Sequence, residues 1–454
     1  MNQPNVILLT LDTLRADRLG CYGYARPITP NIDRLAANGV RFEQAITGGS
    51  WTQAAFPVLL TSTYASMYGG CLGPLSPDRP SPVEALAMSG YTTGGFSTSP
   101  LLSRTYGYQR GFEKFADLIP QEKDPALRHV KGGERLLRLD ATHQIARLLG
   151  KRMRPANLYV PAETLVDVLG EWVNETERPF FAWAHYMDVH WPYHRLETLS
   201  SPEEIAAAWR DMGQLHRANW NGESVNSGQR AHYQQLYDRA IEYTDQQVGR
   251  LFDLLERLNK WEDSLVVLVS DHGEEFLERG KWGHFETNLY DEILKVPLII
   301  KLPGTSRGMV VQQQARTLDI MPTILEICGC AAPSGMEGIS MAPLWEPERG
   351  EYDAPLSISE MWRDNRHIVA ARTEAYKYIW DNRDSDKPSL FDLLSDPHES
   401  TNLIGRYPEQ AQFFKAQIDA HLSRVQDMTA SKETAEPEME TDMIRRLRDL
   451  GYVE

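Results

Sequence analysis

Short runs of apolar residues alternate along this chain with longer segments whose apolar positions recur at helical spacing. Val6-Ile7-Leu8-Leu9 and Val266-Val267-Leu268-Val269 are apolar at successive positions, so each predicts a strand buried on both faces, as in a parallel sheet. Residues 40–46, 91–97, 179–187 and 296–301 read as further strands. The segment 29–39 predicts a helix, with Thr29 as N-cap, Pro30 in the first position and Gly39 past the end. Helices are also predicted over 53–62, 81–89, 162–174 and 318–328. Over 226–258, Tyr233, Leu236, Tyr237, Ala240, Ile241, Thr244, Val248 and Leu251 mark one face of a single long helix, a stripe that reads as core packing. The alternation of strand and helix predicts an α/β fold with a mostly parallel central sheet flanked by helices.

Near residue 350 the pattern changes. Residues 356–359, 367–371 and 376–380 read as short antiparallel strands, and 407–426 as a helix that covers them. The predicted division is an α/β catalytic domain over 1–350, a small sheet-and-helix subdomain over 351–428, and an acidic linker and tail over 429–454. The stretch 105–155 gathers Arg128, His129, Lys131, Arg135, Arg138, Arg147, Lys151, Arg152 and Arg154. It reads as a lid or as a solvated amphipathic helix.

Composition narrows the functional classes. A chain of 454 residues can bury a large core, and a net charge of −16 argues against nonspecific nucleic-acid binding and against docking on anionic lipid. Four cysteines in this length make no disulfide framework, and Cys328 and Cys330 are too close for an ordinary metal knuckle. No apolar signal core follows Met1 and no apolar run matches a bilayer, so the expectation is a cytoplasmic protein without membrane insertion. The oligomeric state is left open.

The chemistry gathers where strands end. The first strand runs into Asp12, and the strand at 264–270 runs into Asp271-His272-Gly273. Open α/β sheets place their reacting groups just beyond the carboxyl ends of strands. Asp12, Asp271 and His272 combine oxygen and nitrogen donors that suit a divalent cation; the plainer reading is a polar strand end that caps a turn. Gly48-Gly49-Ser50-Trp51-Thr52 is a Gly-rich turn that delivers a hydroxyl at a helix start, where Thr52 is either an N-cap or a nucleophile.

Asp12-Thr13-Leu14-Arg15-Ala16-Asp17-Arg18-Leu19-Gly20-Cys21-Tyr22-Gly23 resembles the opening signature of the sulfatase family, within the alkaline phosphatase superfamily. Thr29 to Ala36, Ser270 to Glu274, Leu289 to Ile300, Asp319 to Leu325, Phe391-Asp392-Leu393, Asp396 to Glu399 and Leu450-Gly451-Tyr452 continue it in order. The resemblance implies an alkaline-phosphatase-like sheet with a small C-terminal antiparallel subdomain. It also carries a departure. Where most sulfatases have Cys-x-Pro-x-Arg, this chain has Thr52-Gln53-Ala54-Ala55-Phe56, registered by Leu59-Leu60-Thr61-Ser62. No formylglycine can form there, and Thr52 is similar to the nucleophile of the phosphodiesterase and phospho-substituent transferase branches.

The implied site is Asp12, Thr52, Asp271 and His272 around one divalent metal ion, with Zn or Mn favoured by the nitrogen donor and Ca possible. Thr13 stands where many sulfatases have a second Asp. His190 resembles the family histidine that contacts the transferred group, and His284 the substrate histidine of phosphoethanolamine transferases. Arg15 and Lys281 are candidate anion contacts, and Trp191 and Trp282 candidate pocket walls. Asp188, His185 and His194 are an alternative second metal site. The expected activity is a metal-dependent hydrolase acting on a small-molecule or glycan sulfate or phosphate ester by attack of Thr52. Alternatives are a phosphodiesterase or phosphonate monoester hydrolase, a phospho-substituent transferase, or a non-catalytic binding protein on the same fold.

Overall fold

In the computed structural model, β1 (Asn5–Leu11) is buried at all of its positions, as its unbroken apolar run requires. The structure describes residues 3–120, 142–149, 158–177, 179–284, 288–353, 356–363 and 365–429. Most of the basic stretch, with Arg128, His129, Lys131, Arg135, Arg138, Lys151, Arg152 and Arg154, lies outside the described residues, as does the acidic segment from residue 430 onward.

Helix α1 (Pro30–Ala37) leads into β2 (Val40–Ile46), then α2 (Thr52–Thr61), α3 (Pro82–Met88), β3 (Thr92–Ser97) and β4 (Lys114–Asp117). Next come α4 (Thr142–Leu149), α5 (Ala162–Glu175), β5 (Phe180–Tyr186), α6 (Pro202–Asn221), the long α7 (Ser227–Arg257) and β6 (Ser264–Ser270). A two-strand ribbon, β7 (Glu275–Phe276) with β8 (Trp282–Gly283), follows, then α8 (Asp291–Leu294), β9 (Lys295–Val296), β10 (Leu298–Lys301), β11 (Met309–Arg316) and α9 (Ile320–Ile327). The last part holds β12 (Ser357–Arg363), β13 (Arg366–Arg372), β14 (Tyr376–Asp381), β15 (Ser389–Asp392) and α10 (Pro408–Thr429).

The central sheet runs β11-β2-β10-β6-β1-β5-β3-β4, with β9 paired to β2. Its pairings are parallel except those of β9 and β10, which run antiparallel to their neighbours. Side chains alternate across the sheet. Ile7, Leu9 and Leu11 face a core shared with α5 and α7, whereas Val6 and Leu8 face one shared with α2, α3 and α9. Each fully buried Leu or Ile in these layers contributes about 1.5–3 kcal/mol of apolar burial. Strands β12, β13, β14 and β15 form a separate antiparallel sheet covered by α10.

Two expectations need correction. Thr29 does not cap α1; its hydroxyl accepts from the Gly20 N–H instead, and the Asp245 carboxylate on α7 receives the Asn31 and Ile32 N–H groups. A distant residue has taken over the capping that local sequence suggested. Strand β11 was also unforeseen, because its Met-Val-Val-Gln-Gln-Gln segment has no regular alternation and lies at a half-exposed sheet edge. No helix among the described residues is long and apolar enough to cross a membrane.

Candidate active site

Three neighbouring parallel strands end at one level: Leu11 of β1 pairs with Tyr186 of β5 and with Ser270 of β6. The residues that follow them therefore meet. Asp12, Asp271 and His272 are fully buried, and their potential ligand atoms lie within 4.8 Å of one another, the one such group of three among the described residues. Asp271 Oδ1 accepts from the His272 N–H (2.9 Å) and the Thr13 N–H (3.2 Å), while Oδ2 lies 3.4 Å from His272 Nε2. Asp12 Oδ1 lies 3.9 Å from the same nitrogen.

The tautomer of His272 decides what that contact means. Its Nδ1 sits 3.0 Å from the Gly273 carbonyl, which can only accept, so Nδ1 carries the hydrogen. Nε2 then turns a lone pair toward two carboxylates. Asp12 Oδ1, Asp271 Oδ2 and His272 Nε2 are buried with no hydrogen-bond partner among the described residues. Three acceptors facing one another without a donor are costly, and a cation relieves all three together. Burial, and then Asp12, push the Asp271 carboxyl well above its ordinary value. Burial opposes ionisation of Asp12 as well, but a contact from His185 and the nearby His190 and His272 hold its carboxyl below the usual range. This donor set could hold a divalent metal ion.

Thr52 opens α2, a helix buried at every position, and its hydroxyl donates to Asp12 Oδ2 at 3.4 Å. The turn before it is tight: a Cβ on Gly49 would lie 2.4 Å from the Ala54 carbonyl carbon, so only glycine lets the chain reach Thr52 by this path. Thr13 is not a ligand. At φ 58° it sends its hydroxyl to the Val189 carbonyl (3.0 Å), tying β1 to the loop that carries His190.

His190 and His284 close the same side, with ring centroids 5.0 Å apart, and the His284 ring lies 4.4 Å from that of His272. His190 Nδ1 meets the Trp191 carbonyl at 2.8 Å, and burial brings its pKa down to about 4. His284 Nδ1 meets Glu274 Oε1 at 3.0 Å. Glu274 Oε2 accepts from the Tyr193 hydroxyl at 2.8 Å, which in turn accepts from Trp282 Nε1 at 3.2 Å. Burial pushes the Glu274 carboxyl up to about 7. Glu274 and Tyr193 were missed by sequence reasoning, although Glu274 stands within the Ser270–Glu274 signature.

Other expected residues have different work. The Arg15 guanidinium is taken up by Asp17 (2.7 Å), Glu278 (3.0 Å) and the Glu274 carbonyl (2.8 Å). Lys281 is exposed and its N–H donates to Glu275. Trp191 is buried, and Trp282 packs in the core against Phe276 and Tyr233 rather than walling an open pocket. The alternative metal site does not assemble. His185 turns to Thr10 (3.0 Å) and Asp12 (3.4 Å), His194 pairs with Asp211 (3.2 Å), and Asp188 accepts from the Ala162 N–H (3.0 Å).

Comparison with known proteins places the chain among relatives. The family model described as sulfatase matches residues 4–330, and that described as N-sulphoglucosamine sulphohydrolase, C-terminal, matches residues 280–428. A multifunctional alkaline phosphatase superfamily protein of Trinickia caryophylli is 24% identical, over 89% of this chain and 92% of its own length. An arylsulfatase of Clostridium perfringens is 24% identical, over 91% of this chain and 93% of its own. Among solved structures, a phosphonate monoester hydrolase from Silicibacter pomeroyi superposes with a TM-score of 0.70 at 22% identity, over 94% of this chain and 97% of its own.

Proposed function

The chain belongs to the sulfatase family, and from that premise we propose that it is a metal-dependent hydrolase cleaving a sulfate or phosphate ester by attack of Thr52. The observation that carries this reading is the buried, donor-free cluster of Asp12, Asp271 and His272 with the Thr52 hydroxyl directed at it. Asp12, Asp271 and His272 would hold one divalent ion, with Thr52 Oγ1 beside it. When bound, such an ion lowers the pKa of the hydroxyl and offsets negative charge on the ester.

The remaining steps belong to the chain's own residues. The Thr52 Oγ forms a bond to sulfur or phosphorus as the bond to the leaving oxygen breaks. The hydroxyl proton departs along the contact to Asp12, and the leaving oxygen takes the His284 Nε2 proton as the Glu274 carboxyl, which burial pushes up to about 7, passes its own to His284 Nδ1. Glu274 fixes the His284 ring, with Tyr193 and Trp282 holding Glu274 in turn. His190, whose Nδ1–H is engaged by a carbonyl, offers its Nε2 lone pair to the water that later cleaves the Thr52 ester.

Thr at the nucleophile position favours phosphorus over sulfur. A Thr–sulfate ester has no hemiacetal through which to collapse, whereas a phosphodiester or phosphonate monoester leaves an adduct that water can attack. Likeness to a phosphonate monoester hydrolase in fold is consistent with this branch. Acid-quenched reactions with bis-para-nitrophenyl phosphate, para-nitrophenyl phenylphosphonate and para-nitrophenyl sulfate, read by intact mass, test the reading. The expected result is an adduct on Thr52 that is missing from Thr52→Ala; an adduct of equal yield in Thr52→Ala would sink it.

A further inference from the structure

The two oxygens of Asp12 keep different company. Oδ1 faces the group of three, where it is buried without a hydrogen-bond partner among the described residues. Oδ2 is met at 3.4 Å by the Thr52 hydroxyl of α2 and, from the other direction, at 3.4 Å by His185 Nε2 of β5. Asp12 and His185 are both fully buried. The imidazole reaches this point because His185 lies opposite Thr10 of β1 and continues the face of β5 on which Phe181 and Trp183 pack.

Thr10 decides what His185 presents. Its hydroxyl oxygen accepts from Trp183 Nε1 at 3.0 Å and lies 3.0 Å from His185 Nδ1 and 3.3 Å from the Ala184 carbonyl. Were Nδ1 the donor to that oxygen, Nε2 would turn a lone pair toward the Asp12 carboxylate, and two acceptors would face each other in a fully buried place. With the Thr10 hydroxyl donating to Nδ1, Nε2 carries the hydrogen and turns it toward Oδ2. Nε2 has no hydrogen-bond partner of its own among the described residues, so Asp12 is what this hydrogen faces. Helix α2 holds the ring from the other side. Phe56, four residues after Thr52 and so on the same side of the helix, packs at right angles against the imidazole with centroids 5.0 Å apart. Phe56 occupies the place of the Arg in Cys-x-Pro-x-Arg. Where an Arg would bring its own charge, this helix brings a ring that steadies His185.

We propose that His185 is a positioning residue, whose Nε2–H holds the Asp12 carboxylate with Oδ2 toward Thr52 and Oδ1 toward the metal cluster. The inference deepens the hydrolase reading and rests on it for the ion. His185 itself touches neither ion nor ester. Asp12 serves two partners at once, so the rotation of its carboxylate sets both the donor set and the direction of the Thr52 hydroxyl. A hydrogen fixed on the outer oxygen removes that freedom, as outer partners of metal ligands do.

The test uses the full chain, stripped by chelation and titrated with Zn or Mn by calorimetry, as wild type, His185→Gln, His185→Asn and Thr52→Ala. The amide nitrogen of Gln can take the place of Nε2, whereas that of Asn takes the place of Nδ1 and falls short of Asp12. His185→Asn should weaken metal binding by roughly 10- to 100-fold, the range for losing an outer partner of a ligand, and His185→Gln should stay within a few-fold of wild type. Both variants lose the ring against Phe56, so a role in packing alone would lower their melting temperatures without separating their metal affinities. Nitrogen-15 NMR of histidine-labelled, metal-free wild type, with His185→Gln identifying the signal, should show the His185 hydrogen on Nε2. A hydrogen on Nδ1, affinity of His185→Asn within twofold of wild type, or equal losses in the two variants would each overturn the assignment; should His185→Asn not fold, the tautomer decides. Full turnover in Thr52→Ala would instead remove the hydrolase reading, while the metal titrations would still decide the role of His185.

Discussion

At the seam with the C-terminal sheet, the part-buried Asp291 and the buried Glu399 are met by Lys377 and Arg372; at the strand ends, the fully buried Asp12 and Asp271 are met by each other. In the first cluster Lys377 Nζ lies 2.5 Å from Asp291 and 2.7 Å from Glu399, and Arg372 lies 3.0 Å from Asp291. Burial would raise the Asp291 carboxyl, but Lys377 and Arg372 overcome it and hold it below the usual range. In the second cluster Asp12 Oδ1, Asp271 Oδ2 and His272 Nε2 have no hydrogen-bond donor among the described residues, and burial drives Asp271 up. The first cluster is the less buried of the two, with the Asp291 side chain 16% exposed and Asp12 and Asp271 at 0%, and both fall on segments that resemble family signatures. Balance marks the first as a joint, and imbalance marks the second as a group that could hold a divalent ion.

This contrast can be broken from either side. Asp271→Asn should cost the most in function and the least in structure. Affinity for Zn or Mn should fall by more than the roughly 10–100-fold typical of losing an outer partner, and turnover should fall with it. Without metal the variant should be more stable than wild type by about 1 kcal/mol, because Asn removes a carboxyl whose ionisation burial and Asp12 oppose in the folded state. Urea unfolding of metal-free protein checks this, and a destabilised metal-free variant would contradict the comparison.

Lys377→Met should do the reverse. It leaves the buried Glu399 without the Lys377 ammonium and the part-buried Asp291 with Arg372 alone, and should cost about 3–5 kcal/mol in unfolding free energy. Metal affinity of the folded fraction should stay within a few-fold of wild type. A large loss of affinity at unchanged stability would join the two clusters that the account separates.

The smallest effect concerns Glu360. Burial would raise its carboxyl, yet His421 and His367 hold it well below the ordinary 4.5. Its folded value is depressed, so its stabilisation is complete above 4.5 and is lost as pH falls through the folded value. Glu360→Gln should cost about 1–3 kcal/mol near neutral pH. The gap to wild type should narrow as pH drops below 4.5, read by urea unfolding across that range. A gap that widens toward acid would reverse the sign.

Much of this was legible in the sequence because it depends on strand ends. Asp12, Asp271 and His272 follow apolar runs that leave little freedom about where the chain emerges, and three strands in register bring them together. Thr52 was legible from glycines that only a tight approach explains. What could not be read depends on pairing across long stretches of chain. Arg15 looks like an anion contact until Glu278 is seen to claim it, and His185 looks like a metal ligand alongside Asp188 and His194 until its ring is found on the Asp12 side of β5. Glu274 gave no sign of its partner, and β12 reads as part of a distant subdomain. The β12 contact with the Thr52 turn erases that distance, and neither segment contains a signal for it.

The central claim is most directly tested by following hydrolysis of para-nitrophenyl sulfate, bis-para-nitrophenyl phosphate and para-nitrophenyl phenylphosphonate in parallel. Wild type and Thr52→Ala are compared after chelation and reloading with Zn, Mn or Ca. The account predicts turnover that vanishes on chelation, returns with Zn or Mn, and falls on the order of 10⁴-fold or more in Thr52→Ala. Turnover that survives both chelation and Thr52→Ala would contradict it.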